Sequence, residues 1–161
     1  MAAEAAVPRK RPCASCPYRQ NVPSGVWHPE EYLKLPEYDG EIHEQVQHEQ
    51  ALKEFHCHQG DGTVCSGWLG HREPTDLLAV RLGIARGSLD PSCATYTTEV
   101  PLFPSGRAAA EHGMREVEAP SDEAVEVIEK ISRKRDLAFD PVVQQHNANV
   151  ARAAHSRPPG F

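Results

Sequence analysis

Cys13 and Cys16 stand two residues apart in Arg-Pro-Cys-Ala-Ser-Cys-Pro-Tyr, and Phe-His-Cys-His-Gln-Gly-Asp-Gly-Thr-Val-Cys-Ser-Gly-Trp follows after a long polar stretch, carrying His56, Cys57, His58 and Cys65. No other feature restricts the fold as strongly. Two clusters of soft donors on distant segments are what a tetrahedral metal needs, because it takes four N or S ligands and closes the loop between them. The two residues inside the knuckle let both sulfurs face one ion, and Pro12 and Pro17 stiffen its shoulders. The expected ligands are Cys13, Cys16, Cys57 and Cys65, with His58 as the alternative to Cys57, since neighbours on a strand point to opposite faces. His56 shares the face of His58 and is placed to hydrogen-bond a ligand. Zinc is the expected metal and an iron–sulfur cluster the alternative.

Composition says why such a staple is useful. Aromatics are only 6% of the 161 residues, and 14 prolines with 11 glycines imply much irregular backbone. A chain this short of apolar surface gains from a metal cross-link. The net charge of −6 opposes a whole-surface attraction to nucleic acid or anionic lipid but leaves room for a local basic patch. No apolar run has the length of a membrane span, and the first residues lack a signal peptide's apolar core. The expected location is therefore the cytoplasm, where clustered cysteines bind metal or react more often than they form disulfides. With five cysteines, Cys93 is left over and reads as a core thiol.

The expected fold class is α+β and α-rich, a small domain with few short strands stapled by one metal site. A short helix starts near Pro29 and closes before Pro36, and residues 41–53 read as a polar surface loop with a helical turn. Phe55 to His58 has the character of a strand entering the Gly60-Asp61-Gly62 turn. A buried helix is expected over residues 74–86, with Gly87 in the position that ends it. Thr97 to Phe103 is expected to be extended, and Ser105 to cap a helix through His112. Ser121 caps an amphipathic helix near 121–135, whose face is Ala124, Val127, Ile128 and Ile131, with Glu129/Arg133 spaced for pairing. Residues 1–11 read as a disordered basic leader, 12–140 as one globular domain and 141–161 as a flexible tail.

Rival chemistries fit less well. His28-Pro29-Glu30 and Pro12-Cys13-Ala14-Ser15-Cys16 superficially resemble the two halves of a zinc deaminase signature, but in the reverse order. A thiol oxidoreductase would set its Cys-x-x-Cys at the start of a helix; here Pro17 follows and no βαβ unit appears. No phosphate-binding glycine loop or nucleophile elbow is present. Trp27 and Trp68 are expected to pack around the metal. The basic residues Arg9, Lys10, Arg11, Arg133 and Lys134 are candidates for nucleic-acid contact if the two groups meet in space.

Taken together, Arg-Pro-Cys-Ala-Ser-Cys-Pro-Tyr-Arg, Tyr-Leu-Lys-Leu-Pro-Glu-Tyr-Asp-Gly, Phe-His-Cys-His-Gln, Cys-Ser-Gly-Trp and Pro-Leu-Phe-Pro-Ser-Gly resemble a Cys-rich family of small proteins of unknown function. That family occurs in actinobacteria and their phages, and the resemblance runs from about Arg11 to Leu137. It implies metal binding through Cys13, Cys16, Cys57, His58 and Cys65, and no assigned activity. The functional expectation is a non-catalytic, zinc-stabilised accessory or regulatory module. Its expected partner is a macromolecule, a protein ahead of a nucleic acid, and no membrane is involved. The alternative is a redox protein, either an iron–sulfur carrier or sensor or a Cys-x-x-Cys oxidoreductase.

Overall fold

The computed structural model describes residues 4–57 and 62–134. Helices dominate. They are α1 (Pro29–Leu33), α2 (Ile42–Gln45), α3 (Ser66–Gly70), α4 (Leu78–Arg86), α5 (Gly106–Met114) and α6 (Asp122–Lys134), joined by four short 3-10 turns. The boundaries follow local chemistry. Pro29 opens α1, and the imidazole of His28 accepts the Glu30 amide. Ser105 caps α5 by accepting from the Ala108 amide, and the Ser121 hydroxyl does the same for Ala124 in α6. Gly87 ends α4 at φ 78°, a left-handed conformation that costs glycine no Cβ clash. The helix expected over 74–86 is thus split, with a 3-10 turn at Pro74–Asp76 before α4.

The short strands expected from the sequence are reduced to single pairings. Among the described residues they are the bridges Ala6–Leu89 and Pro8–Val64, both parallel, and Arg19–Leu102 and His56–Val64, both antiparallel. Prolines at 8, 12, 17, 101 and 104 lack the N–H that a continuing ladder needs, which interrupts the pairings of the N-terminal segment and of the segment around Leu102. The Phe55-to-Cys65 hairpin is one of them, with the Cys57 amide donating to the Thr63 carbonyl at 2.9 Å and the Cys65 amide to Phe55 at 2.8 Å.

Residues 6–10, expected within a disordered leader, are tied down. The Ala6 amide donates to the Ser88 carbonyl at 2.8 Å, the Val64 amide to Val7 at 3.0 Å and the Arg9 amide to Val64 at 3.1 Å. Pro8 explains the fit, because proline holds its own φ and pushes the residue before it towards extended backbone. The expected tail at 141–161 lies outside the described residues.

One core joins the two halves. Tyr18, Trp27, Tyr32, Leu35, Phe55, Trp68, Leu69 and Leu77 are all buried within it. α5 packs on α1 and on the Leu35–Tyr38 turn, and α4 on the Glu49–Leu52, Pro74–Asp76 and Pro91–Thr95 turns. In α6 the expected face is turned inward at Ala124, Ile128 and Ile131, with Val127 half-buried. No described helix is long and apolar enough to cross a membrane.

Candidate metal centre and the buried charge beside it

The knuckle is built by a backbone turn, with the Cys16 amide donating to the Cys13 carbonyl at 3.0 Å. Trp27 secures it from behind, its indole N–H donating to the Ser15 carbonyl at 2.7 Å. Both tryptophans are buried, so neither offers a face for base stacking. Trp68 anchors α3 by donating to the Tyr38 carbonyl at 3.0 Å, and its amide donates to the Cys65 sulfur at 3.4 Å. Cys65 is therefore both a candidate ligand and the N-cap of α3.

All four expected cysteines are buried, and none of the chain's five is in a disulfide. The Cys13 thiol first, then that of Cys65, hydrogen-bonds Cys16; with burial they push its pKa well above the ordinary thiol range. The knuckle and the α3 cap are thus neighbours although far apart in sequence. Among the described residues no group of three or more His, Cys, Asp or Glu side chains closes tightly enough to hold a metal ion. Cys57 is turned inward and receives the Arg9 guanidinium at 3.9 Å. His58 lies outside the described residues. His56 faces outward, half-exposed, with Glu54 at 3.4 Å rather than with any thiol. Cys93 is a core thiol as expected, near the Ala6 carbonyl at 3.7 Å, and burial pushes its pKa up to about 11.

Close packing at the sulfurs makes a testable demand. A Cβ on Gly67 would overlap the Cys16 sulfur and press on the Tyr18 side chain. Alanine ordinarily improves a helix position by about 1 kcal/mol over glycine. Gly67→Ala is expected instead to destabilise by about 1–3 kcal/mol, as overpacking does, and thermal melting would read the sign directly.

Arg133 pairs with Glu129 on its own helix at 3.9 Å, whereas Arg9 reaches Cys57. The Lys134 side chain lies outside the described residues.

Sequence reasoning missed a buried polar pair beside this centre. His71 Nε2 and Asp39 Oδ2 are 2.8 Å apart, with the His71 side chain 0% and the Asp39 side chain 5% exposed. Nδ1 of His71 faces the Trp68 carbonyl, which can only accept, so that nitrogen carries a proton. The same Asp39 oxygen accepts the Gly106 amide at 2.7 Å, at the first turn of α5. Tyr18 stacks on the His71 ring at 4.8 Å, linking the pair to the segment that leaves the knuckle. Neither Tyr-Asp-Gly nor Leu-Gly-His carries a spacing that points to the other; only the folded chain joins them.

Comparison with known proteins is decisive on one point. A family of unknown function, DUF6283, matches residues 8–135. The chain belongs to that family. DUF6283 thus spans the knuckle, the hairpin, α3 and all later helices to the last turn of α6. No curated protein and no solved structure matches the chain.

Proposed function

We propose that this DUF6283 member is a cytoplasmic, zinc-stabilised accessory or regulatory module that binds a macromolecular partner, encoded by actinobacteria or their phages. The observation that carries the reading is Cys16, enclosed in the core and hydrogen-bonded to thiols from both chain segments. Soft thiols gathered from distant segments suit zinc, which takes the place of their protons. Cys13, Cys16 and Cys65 would supply three ligands, and Cys57 or His58 the fourth. Four protein ligands make a closed site that leaves no position for a reacting water, hence a non-catalytic role.

The redox alternative divides in two. A thiol oxidoreductase needs an accessible sulfur with a lowered pKa, and Cys16 has the opposite on both counts. An iron–sulfur cluster would use the same ligands. Elemental analysis of anaerobically purified protein, with its visible spectrum, separates them. One zinc per chain without colour is the expected result, and iron with sulfide would replace this reading by the redox one. Chelation at neutral pH is expected to abolish cooperative melting, because metal binding energy is here folding energy. A chelated protein that melts like the parent would overturn the structural role.

A further inference from the structure

Arg9, Lys10 and Arg11 follow one another on a segment that the fold holds at several points. The Arg9 amide is bonded to Val64, the Lys10 carbonyl accepts the Tyr96 hydroxyl at 3.1 Å, and the Pro12 carbonyl accepts two N–H groups of Arg19 at 2.7 and 3.2 Å. Pro8 and Pro12 restrict the backbone further. The Lys10 and Arg11 side chains are nevertheless exposed. With Thr63, the segment forms the lining of an open groove of ≈ 560 Å³ that includes Cys13, with Val7, Pro8, Pro12 and Ala14 as apolar surface and the three cations among them. No described residue lining it is acidic, on a chain whose net charge is −6.

We propose that this groove binds the sugar–phosphate backbone of a single-stranded nucleic acid. Lys10 and Arg11 pair with successive phosphates, while the apolar wall receives ribose and base faces. Arg9, already directed at Cys57, ties the groove to the cysteine centre. Neighbouring exposed cations match the repeating phosphate charge of a strand. An anionic membrane would need a broad basic face, which the overall negative charge opposes. Because the segment is ordered by folding, little of its ordering cost falls on binding. The inference deepens the proposed function by naming the partner class, and it rests on that reading only for the claim that the module binds a macromolecule.

The test is fluorescence anisotropy of a labelled oligothymidylate with the full-length, metal-replete protein over a salt series. Binding should weaken steeply with salt. Lys10→Gln with Arg11→Gln should lower the affinity at least about tenfold and reduce the log–log salt slope by about 1.4, two phosphate contacts at about 0.7 each. Both residues are exposed and neither is a candidate ligand, so the variant should keep the parent's metal content and melting temperature. No binding by a parent that holds its zinc and melts cooperatively overturns the groove assignment and leaves the zinc-module reading standing. Equal affinity for polyglutamate or for anionic vesicles, or oligothymidylate binding unchanged in the double variant, also overturns it.

Discussion

If the thiols hold zinc as proposed, Cys16→Ser is expected to remove the cooperative melting transition and the metal together. The substitution is nearly isosteric, so size alone predicts little. Leaving a buried hydroxyl poorly bonded would cost about 1–3 kcal/mol. Losing a structural zinc ligand forfeits much of a binding free energy on the order of 10 kcal/mol, comparable with the whole stability of a domain. The two cases differ enough for a melt to decide between them. Cys93→Ser is the internal control, because Cys93 is also fully buried but its thiol faces the Ala6 carbonyl. Cys93→Ser should melt a few degrees below the parent and keep the metal. If Cys16→Ser behaved like Cys93→Ser, with a similar melt and an unchanged metal content, the structural site would have to be abandoned.

Asp39→Ala is expected to cost about 3–5 kcal/mol, the range for breaking a buried charged pair from one side. The carboxylate serves two donors at once, His71 at 2.8 Å and the Gly106 amide at 2.7 Å. Alanine leaves both donors without this partner. The result should propagate, because Gly106 starts α5 and its backbone is pressed against the Leu35 carbonyl, while His71 follows α3 and stacks on Tyr18. At about 3 °C per kcal/mol for a chain of this size, the melting temperature should drop roughly 10 °C or more. Asp39→Asn should recover part of the loss, since its amide oxygen still accepts from Gly106. Calorimetry on the pair of variants measures the difference, and equal melting of Asp39→Ala and the parent would rule out an energetic role for the buried pair.

Much of the helical architecture was legible because its signals are local. Ser105, Ser121, Pro29 and Gly87 mark helix ends through hydrogen bonds or φ preferences that span a few residues. The period of Ala124, Ile128 and Ile131 likewise reports one face of one helix. The antiparallel pairing of Phe55 and Cys57 with Thr63 and Cys65 was legible from the strand-like stretch at Phe55. The segments expected as strands pair only through single bridges among the described residues. Pairing depends on which distant segment lies alongside, and here each partner meets its neighbour for only one bridge. The order of residues 6–10 was missed for the same reason: their hydrogen-bond partners, Val64 and Ser88, are far along the chain.

The candidate site divides in the same way. By itself the sequence determined the thiol inventory, the Cys13–Cys16 knuckle and the inward alternation of Cys57 against His56, because spacing along a chain constrains directions over two or three bonds. Only the tertiary structure decided that Cys65 joins Cys16 as the cap of α3, that Arg9 leans on Cys57, and that Asp39 holds His71 and Gly106 at once. Such meetings depend on how α3, α5 and the N-terminal segment pack around one core. That packing is set by shape and by the requirement that buried polar groups find partners, neither of which has a period or a fixed spacing in sequence.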